Sequence, residues 1–518
     1  MPVTKAGARR KLLIFCVDGG VPGLVAEHDF FALDRRLSAF RSSAVSALPS
    51  VYPSSTAPAH ASFLTGRHPV GHGIVGNRFF GAETVAEIRE RASNPFASVH
   101  PYETTSLTCR SLIDRFAERG LSTAAVHFPQ TFSRTVGDAG IPSVYCLYAP
   151  AADGTAVPGI PGEQPGSAVE LTYFQRKVAL TFSLTEQGGI TVAGAPGAPP
   201  VPLERGRTRR LELKLDGVGR LSVPLTVHRA DRKQVVFSAG TAVLTMAFGA
   251  MADVVEAADT GGGPSSLTVD YTANPEHRFH ESPRAPWVKR VALGALERLD
   301  PDVLLIRFNQ ADHAQEFLYW HAMRGDPAER AQAGEQMLDA YRLIDRQIGE
   351  IVATVGDAAD YLFFSDHGID YVDTHIALNT VLAELGWDDR MVFQGDSNIA
   401  YLYADTGLSE GERLELTETL AALDSTTEVL TRETADVWKL PWGDPRLGEL
   451  AVTCGPHREF QYGGGAPRQT VRSASHGYFP TAPSMNGFFR MYARDSAAIS
   501  RPRHLVDVAA AIEKLLVG

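Results

Sequence analysis

Three short apolar runs, at residues 12–17, 303–308 and 361–364, each lead into an aspartate: Asp18, Asp312 and Asp366. His367 follows directly on the last of these, and His476 stands late in the chain within Ser475-His476-Gly477-Tyr478. Carboxylate and neutral imidazole are the ligand types that Zn²⁺, Mn²⁺ or Fe accept at a hydrolytic centre. A fourth station is the hydroxyl-rich turn Ser54-Ser55-Thr56 between Pro53 and Pro58, with a helix-like run behind it over residues 60–64. Backbone N–H groups and the dipole at such a helix N-terminus favour an anion, and a hydroxyl there, near Asp18, suits a nucleophile. Each feature alone is ordinary, since Ser/Thr before Pro is common N-cap grammar and Asp-Gly-Gly after a strand is a common turn. The four together point to metal-assisted chemistry.

For the aspartates to meet, the apolar runs have to be parallel strands ending at one edge of a sheet, where open α/β sheets bind their ligands. The rest of the chain supplies the covering helices. Residues 106–119 carry Leu107, Leu112, Ile113 and Phe116 at helical spacing, closed by Gly120, and 122–127 reads as a strand. An amphipathic helix over 287–299 precedes the second strand, and 329–355 shows a stripe of Met337, Leu338, Tyr341, Leu343, Ile344, Ile348 and Ile351 that is packing. A helix at 379–385, a strand at 399–403, a helix at 409–423 and a strand at 428–431 follow. Such alternation predicts an α/β fold, a doubly wound, mostly parallel sheet flanked by helices.

From 151 to 285 the texture changes. Gly and Pro clusters at 158–166 and 194–202 separate alternating runs at 171–184, 211–215, 221–227, 234–237 and 242–248, the pattern of an inserted antiparallel β-rich subdomain. The expected division is therefore core over 1–150 with the nucleophile, insert over 151–285, and core again over 286–518 with the metal ligands. Asp253, Glu256, Asp259 and Asp270 read as the insert's solvated face rather than a metal site. His277, Arg278 and His280 lie where the insert rejoins the core, within possible reach of the pocket.

The motifs resemble the alkaline phosphatase superfamily, and within it the nucleotide pyrophosphatase/phosphodiesterase (type I phosphodiesterase) branch. There the nucleophile segment reads Thr-x-Pro-x-His, then Thr-Gly and His-Gly-Ile, with an Asn twenty-one residues after the nucleophilic Thr. Here these are Thr56, Pro58, His60, Thr65-Gly66, His72-Gly73-Ile74 and Asn77. Asp366-His367-Gly368 and His476-Gly477-Tyr478 with Pro480 complete the combination, and the resemblance spans roughly residues 10–130 and 285–518. It implies an alkaline phosphatase-like core and a metal-dependent phosphodiester or pyrophosphate hydrolase with two divalent ions, zinc before others, working through a covalent phosphothreonine. One ion falls to Asp18, Asp366, His367 and the Thr56 oxygen, the other to Asp312, residue 316 and His476. Asn77 and the backbone N–H near Thr56 hold the non-bridging oxygens. The same motif selects Thr56 over its neighbour Ser55. Asn77, where a cation is absent, suits the single charge of a diester, so the expected substrate is a small anionic phosphoester, a nucleotide among the options. Phe79 and Phe80, just beyond Asn77, are read either as lining of a substrate pocket or as core or lid packing.

The sequence departs from the family at residue 316. Relatives place a His four residues after the second Asp, whereas this chain reads Asp312-His313-Ala314-Gln315-Glu316. The expectation is a carboxylate ligand at Glu316, favouring Mn²⁺, Fe or Mg²⁺ there over Zn²⁺. The alternatives are His313 swinging in, or an empty second site. Two rival functions use the same fold: a phosphoryl or sulfuryl transferase of a biosynthetic pathway, and a binding protein that has lost turnover.

Composition bounds the class. A balance of 44% hydrophobic and 21% charged residues is that of a globular chain, and 49 basic against 60 acidic residues, net −11, argues against tracking a nucleic-acid polymer. Cys16, Cys109, Cys146 and Cys454 are widely spaced and suggest neither disulfides nor a cysteine metal site. The apolar run after Lys11 is too short for a signal peptide, and no run approaches a membrane span, so the expected location is cytoplasmic, with export of a processed form as the other option. The oligomeric state is left open.

Overall fold

A computed structural model describes residues 10–517 except 35–36, 38, 93–96, 135–139, 150–151, 174–175, 195–198, 216–218, 241, 261, 265–282 and 496–498. Asp270, His277, Arg278 and His280 thus lie outside the described residues. The chain divides into two compact units, Met1–Ile141 with Ala295–Gly518, and Pro142–Gly294.

In the first unit the strands run in the order Arg41–Ser42, Gly487–Ala493, Ala359–Phe364, Lys11–Val17, Val303–Phe308, Thr123–Val126. The last four are parallel neighbours, and Gly487–Ala493 joins them antiparallel. Every residue of Val303–Phe308 and Ala359–Phe364 is buried, which is why these runs, Arg307 and Asp360 apart, are apolar without alternation. Register decides where the chemistry falls. Cys16 lies opposite both Arg307 and Phe364, and Val17 opposite Phe308. Asp18, the Asn309–Asp312 segment and Asp366 therefore leave the sheet side by side at the same edge.

Helices hold both faces. On one, Ile14, Leu305, Leu362 and Phe364 pack against Ala59, Phe63 and Leu64 of the helix Thr56–Thr65 and against Val508 and Ile512 of Val508–Val517. Phe63 and Phe364 stack with centroids 4.0 Å apart and planes 2° from parallel. The long helix Pro327–Val355 begins on a capping box, Asp326 with Glu329, and buries Met337, Tyr341, Ile344, Ile348 and Ile351 of the expected stripe, whereas Leu338 and Leu343 are only half-buried. Two further sheets complete the unit: an antiparallel one of Met391–Gly395, Ile399–Ala404, Leu450–Thr453 and Glu428–Val429, and a mixed one in which Asp370–Ala377 pairs parallel with Arg458–Gln461 and antiparallel with Arg468–Ser475.

The second unit is largely antiparallel. Ser143–Ala149, Ala242–Phe248, Gly219–Ala230, Val235–Ala239 and Ala152–Ala156 pair in that order, with Thr208–Leu215 also on Gly219–Ala230. A further four-stranded sheet contains Ala168–Tyr173 and Arg176–Leu184. Two readings of this region need correction. The run at 171–184 is not one strand but parts of two, paired antiparallel. The acidic stretch is the helix Met251–Asp259, and Asp259 is not merely solvated, because it accepts from Trp287 Nε1 at 2.7 Å and pairs with Arg220.

Candidate active site

The helix Thr56–Thr65 is buried along its whole length and ends at Gly66, whose φ of 68° is the left-handed cap that glycine adopts without strain. Ser55 is its N-cap residue, in extended conformation, so Thr56 opens the first turn. Thr56 Oγ1 lies 3.2 Å from His367 Nε2. His367 Nδ1 donates to Gly368 O at 2.9 Å, so that in the neutral ring Nε2 is the lone-pair nitrogen facing Thr56, with Asp18 Oδ1 and Asp366 Oδ2 each 3.5 Å away. The His476 ring stacks on His367 with centroids 4.0 Å apart, and Gly477 N–H ties this loop to Ser54 O at 2.9 Å. Serines brace the strand ends: Ser50 Oγ donates to Asp366 O at 2.6 Å, and Gly20 N–H donates to Ser365 Oγ at 2.7 Å.

Gly19 pins the two halves together. Its N–H donates to Asp366 Oδ1 at 3.3 Å and its carbonyl accepts from Gln315 Nε2 at 2.7 Å. Its φ is +64°, and a Cβ there would lie 2.8 Å from Asp312 Oδ1. Only glycine lets the first strand end approach the helix Gln310–Arg324 so closely.

Asp18, Asp366, His367 and His476 are buried with Asp312 and Thr56. Ligand atoms of Asp18, Asp366 and His367 lie within 4.8 Å of one another, as do those of Asp312, His367 and His476. Burial pushes the Asp18 carboxyl up, opposed by Arg307 and reinforced by Asp366. Burial, with the charge of Asp18, pushes Asp312 up to about 8. Asp366 goes the other way: burial works against its charge, yet His367, His60 and Arg307 hold it far below the usual carboxylate range. The three carboxylates also raise His367 despite its burial, whereas burial and His367 together push His476 well down. So much buried negative charge is unstable without a cation.

Buried Asp18 Oδ1, Asp312 Oδ1, Asp366 Oδ2 and His476 Nδ1 have no hydrogen-bond partner among the described residues. Such groups are normally paired, so four unpartnered lone-pair atoms at one sheet edge fit divalent cations well. Glu316 is only half-buried and falls in neither group of ligand atoms. Burial and the charges of Asp312, Glu459 and Asp18 push its carboxyl well above the usual range. His313 Nε2 lies 3.5 Å from Asn309 Nδ2 and is in neither group either.

Asn77 Oδ1 accepts from Ala57 N–H at 2.8 Å, which orients the amide so that Nδ2 is left to donate elsewhere. The Ala57 N–H is thereby engaged, narrowing the expected backbone contribution near Thr56 to its other N–H groups. Phe79 and Phe80 are packed with Tyr52, Tyr401 and Tyr403 in an apolar cluster, 8% and 5% exposed. Their contacts are those of a packed apolar cluster.

Two site residues were not anticipated. Asp396, buried at the turn after Met391–Gly395, accepts from Asn77 N–H at 2.9 Å and so anchors the backbone of that residue. Arg307, 7% exposed, donates to Asp18 Oδ2, and its other terminal nitrogen lies 3.3 Å from His127 Nε2. A charged residue inside the otherwise apolar run Val303–Phe308 was the available signal for Arg307. Nothing comparable marks Asp396.

Comparison with known structures finds this architecture elsewhere. Murine ectonucleotide pyrophosphatase/phosphodiesterase 5, solved as an inactive form in complex with AMP, is 12% identical with a TM-score of 0.51, covering 98% of this chain and 95% of its own. The human protein of the same name gives 12% and 0.51 over the same shares. Phosphonoacetate hydrolase from Sinorhizobium meliloti, in complex with phosphonoformate, is 16% identical with a TM-score of 0.50, covering 99% of both chains. At such identities the likeness is one of fold. Among curated proteins, none matches the sequence. The sequence profile of type I phosphodiesterase / nucleotide pyrophosphatase, however, matches residues 12–183 and 229–479, which takes in the turn Ser54–Thr56, all three aspartates and His476. The chain belongs to the type I phosphodiesterase/nucleotide pyrophosphatase family of the alkaline phosphatase superfamily and is a phosphoester hydrolase.

Proposed function

We propose that the protein hydrolyses phosphodiester or pyrophosphate bonds in small anionic substrates, in a metal-dependent reaction that passes through a phosphothreonine at Thr56. The observation that carries this reading is the set of four unpartnered buried ligand atoms on Asp18, Asp312, Asp366 and His476 beside Thr56. Asp18, Asp366, His367 and Thr56 would hold one ion, and Asp312 and His476 the other, with Glu316 at its rim. Divalent ions, zinc before others, would supply the charge that acidifies the attacking hydroxyl and neutralises oxygens on phosphorus.

Thr56 Oγ1 attacks phosphorus, forming the new P–O bond as the bond to the leaving oxygen breaks and the hydroxyl proton passes to solvent. Water then attacks the phosphothreonine, returning the threonine hydroxyl and releasing the phosphorylated product. The Asn77 Nδ2 group donates to a non-bridging oxygen, in an orientation set by the Ala57 bond. The helix N-terminus at Thr56 adds a favourable dipole for that anion. A neutral amide suits the one charge of a diester, and Arg307 is already engaged by Asp18. AMP in the murine neighbour and phosphonoformate in the bacterial one are small phosphorus-containing anions, as the proposed substrates are.

The test is hydrolysis of bis(p-nitrophenyl) phosphate and p-nitrophenyl phosphate before and after chelation and reloading. The expected result is loss of activity on chelation, recovery on reloading, and a higher kcat/KM for the diester. Full activity in the chelated protein overturns the metal dependence, and a large monoester preference overturns the substrate class.

A further inference from the structure

Asp18 is expected to bind a metal, yet the structure gives it a cation from within the chain. Arg307 stands on the neighbouring strand opposite Cys16, two residues before Asp18, and is nearly as buried as the carboxylate it meets. It donates to Asp18 Oδ2, while Asp18 Oδ1 has no hydrogen-bond partner and lies 3.5 Å from His367 Nε2. His127 Nε2, 3.3 Å from the guanidinium, anchors its other terminal nitrogen. The two oxygens of one carboxylate are thus divided between a fixed guanidinium and the side that faces Thr56 and Asp366.

Resting on the function proposed above, we infer that Arg307 is a positioning residue and resident cation, which steadies the buried carboxylates of the metal-free site and lowers its affinity for metal. Asp18, Asp312 and Asp366 are 0%, 5% and 0% exposed, so the metal-free site carries its negative charge out of reach of water. Removing one member of a buried ion pair strands the other charge, at a cost well above that of a surface pair. A dication on Asp18 Oδ1 relieves the same charge but is repelled by the guanidinium on Oδ2, so metal and arginine share one carboxylate at the expense of each other's binding. By linkage, a residue that stabilises the metal-free fold more than the loaded one weakens metal binding by the same factor.

The experiment compares wild type, Arg307→Met and Arg307→Lys by thermal unfolding in excess chelator and in excess Zn²⁺, and by Zn²⁺ affinity against a competing chromogenic chelator. Arg307→Met is expected to melt lower than wild type in chelator, to recover most of the difference in zinc, and to bind Zn²⁺ at least about tenfold more tightly. Arg307→Lys, which keeps the charge without the fork, is expected to stay near wild type in affinity. Equal melting losses with and without zinc, or an Arg307→Met affinity equal to or weaker than wild type, overturn the inference while leaving the proposed function intact. If Arg307→Met does not fold in chelator yet folds in zinc, the inference is supported; if it folds in neither, Arg307→Lys decides, and a changed Zn²⁺ affinity in that variant counts against the inference. A wild type that takes up none of Zn²⁺, Mn²⁺, Fe²⁺ and Mg²⁺ overturns the proposed function itself.

Discussion

Gly19→Ala loads the joint between the two halves of the site. The residue sits at φ +64°, a conformation that costs an alanine about 1 kcal/mol or somewhat more. The new methyl would lie 2.8 Å from Asp312 Oδ1 and 2.9 Å from its Cα and Cβ. Ordinary contact begins near 3.4 Å, so Asp312 must retreat by roughly half an ångström, and overpacking of that kind costs about 1–3 kcal/mol. The sum is a loss of about 2–4 kcal/mol in denaturant unfolding, with a fall in kcat of up to about 100-fold, because a ligand displaced by a fraction of an ångström misplaces the reacting atoms. Gly20→Ala is the control. Its methyl would meet the Phe488 ring at 2.7 Å rather than a site residue, so it should lose stability while keeping most of its activity. The assay is urea unfolding with diester hydrolysis on the same preparations. A Gly19→Ala protein within about 0.5 kcal/mol of wild type and fully active would refute the close approach of Asp312 on which the geometry depends.

Thr56→Ala should abolish turnover of a chromogenic diester, whereas Ser55→Ala should keep most of it, and the reverse result would move the nucleophile by one residue. Glu316→His should retain metal and shift preference toward Zn²⁺ over Mn²⁺ in competitive loading read by elemental analysis; an unchanged preference would leave Glu316 without influence on the second ion. His72 accepts from Ile74 N–H at 3.1 Å and faces Ser62 Oγ at 2.9 Å, and burial, with His68, lowers its pKa to about 3. Because the unfolded chain takes up that proton near pH 6.5 and the folded one does not, its contribution is complete above pH 6.5 and is lost as pH falls toward about 3. Stability at pH 5 should be about 2 kcal/mol lower on this account, a slope that His72→Gln lacks when unfolding is followed by denaturant across that range.

Much of the site was legible because its determinants are local. An apolar run ending in Asp, a hydroxyl before a short helix and a late His-Gly are each written in consecutive residues, and the parallel sheet supplies the rest by aligning strand ends. What was not legible depends on pairing across long separations. Arg307 meets Asp18 only because the strands align Arg307 with Cys16, and a lone arginine in an apolar run carries no sign of its partner. Asp396 reaches Asn77 across 319 residues, with no motif to announce it. Phe79 and Phe80 pack with Tyr401 and Tyr403 from far along the chain, a contact that their own neighbours in sequence do not announce. In the second unit, alternation marked β structure over 171–184 but not the break into Ala168–Tyr173 and Arg176–Leu184, since a hairpin preserves the alternating pattern on both arms.

The central claim is that Asp18, Asp312, Asp366, His367 and His476 assemble a two-metal centre around Thr56. Anomalous scattering from crystals grown after reloading with Zn²⁺ addresses it directly. The account expects two peaks, one bounded by Asp18, Asp366, His367 and Thr56 Oγ1, the other by Asp312 and His476. Crystals of a catalytically active preparation with no anomalous peak among these five ligands would contradict it.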